Sequence, residues 1–278
     1  MIRFSGFYPG VDVTEQAARF IGSIPENYDE HLGPHIFAEF AADLARRVAN
    51  LHPLQVLELA AGTGILTRCL RDVLASRCEI LASDLNPPML DVARKKFASG
   101  EQVGFEPADA TELAFRDATF DVVTCQFGVM FFPDKGRSYS EVFRVLKSGG
   151  SYVFNVWDAW AENPFAEIAH RTVEKFFPDD PPGFYEVPFS YHDKNEICDA
   201  VSKAGFVDIR AEHVPLRATI ISPMSFARGL VFGNPLHEEI VTRGGDPDLV
   251  FAAVTEAIDR GLGAEMPLRA LVIHATKS

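Results

Sequence analysis

Three acids stand apart in the first half of the chain: Glu58, Asp84 and Asp109. Between the first two runs VLELAAGTGILTRCL, Val56 to Leu70, in which apolar strand-formers end on Glu58-Leu59 and pass through Ala60-Ala61-Gly62-Thr63-Gly64 into a leucine-rich amphipathic stretch. A strand that turns into a helix through glycines gathers bare backbone N–H groups and the positive helix end at one point, which suits a nucleotide. A lone Gly-X-Gly is also a common tight turn, so the acids must decide. Carboxylates converging at strand ends repel one another unless ligand donors occupy their acceptors. A ribose offers two hydroxyls, an adenine an amino group, and an amino acid an ammonium. Asp84 follows Gly62 by 22 residues, near the ~20 expected of a ribose-binding acid.

Two details separate the candidate nucleotides. A dinucleotide site wants a third glycine three residues after the second, for close helix packing beside a pyrophosphate. That position is Thr67. Glu58, just before the loop, would oppose a pyrophosphate and suits a cation. Both lean towards adenosine carrying positive charge, as in S-adenosylmethionine.

The elements that must position these groups alternate. A helix is expected over 33–51, from Phe37, Phe40, Leu44, Val48 and Leu51 on one stripe. Then follow strand 55–59, helix 65–74, strand 78–83, helix 87–97, strand 103–106, strand 120–126, helix 135–146, a turn at Gly149-Gly150 and strand 152–157. The strands show little polar alternation, as when helices cover both faces. The fold expected is α/β: a doubly wound, seven-stranded, mostly parallel sheet. Beyond Trp157, Asp193-Lys194-Asn195-Glu196 reads as a capping box opening a helix to about Ala204. Strands are expected at 207–216 and 268–276. Asp246-Pro247 starts a further helix with Leu249, Val250, Ala253, Val254 and Ile258 on one face. The chain reads as one domain, 1–278, with an N-terminal helical cap (1–52), a cofactor-binding half (53–157) and two substrate-lid insertions (158–190 and 218–266).

Composition narrows the function. Among 278 residues, 47% are hydrophobic and 23% charged, and the net charge is −13. An acidic surface repels phosphate backbones, so nucleic acid is not expected as partner. No apolar run reaches the ~20 residues needed to span a bilayer, and the N-terminus has no signal-peptide pattern. The four cysteines, Cys69, Cys78, Cys125 and Cys198, have no metal or redox spacing. A cytoplasmic location, no metal, and a monomer or homodimer are the expectations.

The stretch from about 54 to 157 resembles the class I S-adenosylmethionine-dependent methyltransferases, in the small-molecule branch similar to the ubiquinone/menaquinone-biosynthesis enzymes. VLELAAGTG resembles their first motif, ILASDLNPPMLDVARKK the second-strand segment, PADATELAFRDATFDVVTCQFGVMFFPD the third and fourth strands, and EVFRVLKSGGSYVF the turn into the fifth. The resemblance implies the Rossmann-like methyltransferase fold and a set of roles. Glu58 would lie beneath the loop near the methionine ammonium, and Ala60, Gly62 and Gly64 would present backbone to the methionine. Asp84 would take the ribose hydroxyls, with Leu85 and Met89 flanking the adenine. Asp109 would accept from the adenine amino group, Ala110 would donate a backbone amide to the ring, and Gln126 would stand near the methionine. The family's first loop glycine is Ala60 here, which keeps its backbone accessible if its φ is negative.

Methyl transfer from a sulfonium needs an aligned nucleophile and excluded water, and a base only where the acceptor must lose a proton. No catalytic base follows from the motifs. Tyr28 could shield or polarise a sulfonium, or be an interface aromatic. His31 shares its segment, and with Tyr191, His192 and Phe226 it makes up the substrate-pocket candidates. Tyr191 and His192 precede the capped helix at the crevice rim, where His192 is either a base or a locally bonded histidine. Phe176, Phe177, Phe184, Phe189, Phe226, Leu230 and Phe232 either wall an acceptor pocket or pack the insertions. The reading is methyl transfer from S-adenosylmethionine, leaving S-adenosylhomocysteine, to a small apolar or aromatic molecule. The alternatives are an NAD-dependent oxidoreductase, disfavoured by Thr67 and Glu58, and a non-catalytic S-adenosylmethionine-binding protein.

Overall fold

The computed structural model describes residues 16–278, so positions 1–15 of the expected cap lie outside the described residues. One sheet holds β1 (Gln55–Leu59), β2 (Glu79–Asp84), β3 (Val103–Pro107), β4 (Phe120–Gln126), β5 (Leu146–Trp157), β6 (Val207–Thr219) and β7 (Glu265–Thr276), in the order β3-β2-β1-β4-β5-β7-β6. Neighbours from β3 to β5 pair parallel, while β7 runs antiparallel to both β5 and β6. Chain order reverses between β1 and β4, and ligands of open α/β sheets sit outside the strand ends at such a point.

Alternation along the strands sorts residues between two cores. Val56, Ile80 and Val122 pack under the helices Ala38–Ala49 and Ile65–Val73. Leu57, Val123 and Phe154 face the other way, towards the helix Lys135–Val145 and both insertions. The helix Ile65–Val73 supplies Leu66 and Leu70 to the first core. The Asp193 and Asp246 carboxylates cap their helices, accepting from Asn195 N–H and Asp248 N–H.

Three expectations are corrected. Residues 33–51 are not one α-helix: a π-helical segment, Tyr28–Phe37, precedes the helix Ala38–Ala49. Pro34 has no N–H to close an α-turn, and Ala38 N–H donates to the Gly33 carbonyl five residues back. His35 Nδ1 lies 2.8 Å from the His31 carbonyl. A carbonyl only accepts, so Nδ1 carries the proton. Gly149-Gly150 is not a free turn but lies inside β5, where Gly149 N–H donates to the Lys277 carbonyl and Lys277 N–H to that of Gly150. The last two strands are longer than expected because β6 and β7 pair from Val207–Thr276 through to Thr219–Glu265.

Helices Pro164–Glu174, Pro223–Phe232 and Pro247–Gly261 of the two insertions pack on one another, and Pro223–Phe232 lies against the π-helical segment. Segment 16–37 thus spans from the sheet's carboxyl edge to the insertions as a strap. Among the described residues no helix is long and apolar enough to cross a membrane.

Candidate functional site

A cavity of about 380 Å³ lies at the carboxyl ends of β1, β2 and β4. Its floor carries Leu59, Ala60, Gly62, Asp84 and Gln126, and one side carries Leu85, Met89, Asp109 and Ala110. Phe20, Tyr28, Leu32 and Phe37 of the strap close over it, and Phe165, Phe184, Tyr185, Phe189, Leu230 and Asn234 of the insertions form its far end.

The loop after β1 is built from left-handed backbone: φ is 55° at Gly62 and 78° at Gly64. At Gly64 space also matters, because a Cβ there would stand 2.9 Å from Ala93 Cβ. Glycine lets the helices Ile65–Val73 and Pro87–Arg94 approach. Ala60 does not take the expected negative φ but sits at 50°, which costs a non-glycine residue about 1–2 kcal/mol. Its neighbours hold it there: Ala61 N–H donates to the Ser83 carbonyl at 2.8 Å, and Ser83 Oγ donates to the Glu58 carbonyl at 2.9 Å.

Asp84 is 6% exposed. Gly62 N–H and Asn86 N–H each donate to its carboxylate at 2.8 Å, one to each oxygen. Burial pushes its pKa up and these two amides pull it down. The carboxylate thereby ties β2 to the glycine loop while keeping lone pairs for a ligand. Asp109 is exposed and takes both the N–H and the hydroxyl of Thr111 at 2.7 Å. Glu58 is 1% exposed and is not on the cavity wall. It shares a strand face with Val56 and lies beneath the loop beside Thr67. Burial pushes its pKa up to about 8, the Thr67 hydroxyl opposes this and the Asp84 charge adds to it. Gly64 is also behind the wall. Gln126 Nε2 donates to the Phe37 carbonyl at 3.3 Å, and its Oε1 is buried without a hydrogen-bond partner among the described residues. The Tyr28 ring stacks on Phe37 at 4.8 Å and meets Phe20 edge-on at 5.8 Å. Burial, then the charges of Asp84 and Asp29, lift its phenol far above the ordinary range.

The four residues expected at the acceptor pocket do not line the cavity. His31 Nδ1 meets Ser225 Oγ at 2.9 Å, and the Tyr191 hydroxyl meets that of Tyr139 at 3.1 Å inside the core. His192 Nδ1 donates to the Phe189 carbonyl at 2.9 Å, and Phe226 is fully buried between His35 and Phe165. Phe176 is half-exposed, and it, Phe177 and Phe232 stay off the wall, whereas Phe184, Phe189 and Leu230 reach it.

Sequence reasoning missed the aromatic floor. Phe127 stacks on Trp157 at 3.9 Å with 8° between planes. Its φ is 50°, and its N–H reaches both the carbonyl and Oδ1 of Asn155. The one available signal was Gly128, where a Cβ would lie 2.5 Å from Ala60 Cβ, so the loops after β1 and β4 touch at the point where strand order reverses. Among the described lining residues the titratable groups are Tyr28, Asp84, Asp109 and Tyr185. The Tyr185 hydroxyl donates to the Leu230 carbonyl at 2.8 Å, and burial raises its pKa.

The sheet order, with its antiparallel seventh strand and a site at the β1–β4 switch point, defines the Rossmann-like methyltransferase fold. Residues 16–176 match the model of the ubiE/COQ5 methyltransferase family, and the chain belongs to that family. It is similar to the demethylmenaquinone methyltransferase of Thermus thermophilus, 43% identical over 121 residues that cover 41% of this chain and 54% of that protein. The chain spans about half the length of the relatives it matches. The solved structure of Bacillus subtilis YcgJ covers 86% of this chain and 98% of its own, with TM-score 0.56 at 20% identity. That of Haemonchus contortus phosphoethanolamine N-methyltransferase 2 with S-adenosyl-L-methionine covers 98% of this chain and 61% of its own, with TM-score 0.62 at 17% identity. At these identities the two structures bear on the fold alone.

Proposed function

We propose that the chain transfers a methyl group from S-adenosylmethionine to a small apolar or aromatic organic acceptor. The observation that carries this reading is one cavity with two chemistries: the Asp84 carboxylate and glycine loop at one end, and an aromatic, base-poor enclosure at the other. The residues fit the cofactor, because the partnerless buried Gln126 Oε1 suits an ammonium and the Asp84 carboxylate suits ribose hydroxyls. When bound, S-adenosylmethionine supplies a methyl group on a cationic sulfur.

The chain's own residues then bind, orient and exclude water. Asp84 accepts the ribose hydroxyls, Leu85 and Met89 flank the adenine, and Asp109 and Ala110 meet its edge. Ala60 and Gly62 present backbone to the methionine part, while Glu58 and Gly64 act from behind the wall: Glu58 is a buried acid that a bound cation would draw into its charged form, and Gly64 keeps the loop's path tight. Tyr28 and Phe37 close the strap side. The stacked Phe127 and Trp157 give a planar acceptor a surface to lie on, and such alignment supplies roughly 7–11 kcal/mol of a displacement barrier. No histidine or lysine stands on the described wall, so the reading favours an acceptor such as a hydroquinone that gives up its proton, and any ring proton the methyl displaces, to solvent rather than to a side-chain base on this wall.

The relative's name makes a demethylated menaquinol the first acceptor to try. Radiolabelled methyl from S-adenosylmethionine should enter a small quinol or phenol and not RNA or basic peptide. Labelling of the macromolecules alone would overturn the reading. S-adenosylhomocysteine at 100 times its Kd should add about 2.7 kcal/mol of stability and NADH none, which separates the oxidoreductase alternative.

A further inference from the structure

We infer that Asp29 is a positioning residue that latches the strap over the glycine loop and so sets the rate of cofactor exchange. This rests on the cofactor reading above. Asp29 follows Tyr28 in the π-helical segment, and its Oδ1 accepts the Thr63 hydroxyl at 2.6 Å and an ion pair from Lys96 Nζ. Thr63 is the middle residue of Gly62-Thr63-Gly64 and is 1% exposed. Lys96 lies just past the helix Pro87–Arg94, whose Met89 lines the cavity. One carboxylate thus joins the strap, the loop that would carry the methionine part, and the helix that would flank the adenine.

The strap has other anchors, and each holds a different place. Phe20 N–H donates to Asn86 Oδ1 at 3.2 Å, and Asn86 Nδ2 donates to the Ala18 carbonyl at 3.0 Å. At the insertion side His31 meets Ser225, and Arg228 Nε donates to Asn27 Oδ1 at 3.1 Å. Only Asp29 reaches the glycine loop directly among these contacts. The π-helical register brings it there, and such registers occur often at functional sites. Both ion-pair side chains are about one quarter exposed. The latch is therefore close enough to water to open and dry enough to hold, which suits a gate rather than a permanent staple. Tyr28, next to Asp29 in the chain, stacks on Phe37 at 4.8 Å at the cavity mouth, so the latch acts beside the rings that close it.

The test is stopped-flow tryptophan fluorescence, read through Trp157 on the cavity wall, with S-adenosylhomocysteine as the probe. The variants are Asp29→Ala, Thr63→Val and the charge swap Asp29→Lys with Lys96→Asp, with thermal unfolding recorded for each. Asp29→Ala should raise the dissociation rate about tenfold, equivalent to about 1.4 kcal/mol on the exit barrier, and raise the association rate as well. Thr63→Val should raise dissociation by a smaller factor, and the charge swap should bring it back towards wild type. Unchanged rates with a lowered unfolding temperature would make Asp29 merely structural and overturn the latch, leaving the cofactor reading intact. A wild-type protein that binds no S-adenosylhomocysteine would overturn both.

Discussion

Glu58 offers the sharpest energetic test, because its carboxyl is almost wholly buried behind the loop and its pKa is pushed from 4.5 up to about 8. A raised acid pKa means the fold prefers the proton. The stability tied to this group is fully present below 4.5, falls as the pH climbs, and is gone above about 8. At 1.36 kcal/mol for each tenfold, the whole rise is worth roughly 5 kcal/mol. Local rearrangement that admits water to the carboxylate would bring the penalty below that ceiling. Glu58→Gln has the shape of the protonated acid and no charge to bury. Urea unfolding of both proteins without cofactor should give similar stabilities at pH 4.5, with the variant more stable by up to about 5 kcal/mol at pH 8. The same variant should bind S-adenosylmethionine about tenfold more weakly if a bound cation draws out the ionised carboxyl, a form that glutamine lacks. Parallel stability curves across that pH range, or a variant less stable at pH 8, would refute the reasoning.

Other substitutions probe the loop and the core. Gly64→Ala combines a left-handed φ with a Cβ 2.9 Å from that of Ala93, and denaturant unfolding should register a loss of about 2–4 kcal/mol. Ala60→Gly should move the other way, gaining up to about 1 kcal/mol because it relieves a φ of 50°. Phe226→Ala should cost about 3–5 kcal/mol in the same assay while leaving S-adenosylhomocysteine affinity within twofold, because the ring is fully buried away from the cavity wall.

Residues 53–157 were largely legible because local and tertiary preferences agree there. Strands 55–59 and 120–126 lie where their apolar runs put them, and beyond that stretch Asp193 and Asp246 cap helices as their types demand. The glycine loop and Asp84 fall together because strand, turn and helix each leave a mark in the residues. The far end of the cavity left no such mark. Tyr185, Pro188 and Asn234 reach the cavity from short elements without a period, while the more conspicuous His31, Tyr191 and His192 are engaged with neighbours. The π-helical register follows from Pro34 together with packing against Pro223–Phe232, and only the first is visible in one dimension. Phe127 could not be singled out among 23 phenylalanines, since its strained φ and its stack on Trp157 exist only once β4 and β5 are paired.

Asp84, proposed as the carboxylate that holds an adenosine-bearing cofactor, is the residue on which the function proposed here most depends. Calorimetric titration of S-adenosylhomocysteine into wild type and into Asp84→Asn, with thermal unfolding to verify that both are folded, tests this directly. Loss of charge-assisted bonds to two hydroxyls should weaken binding by at least about 100-fold. An affinity within threefold of wild type would contradict the account.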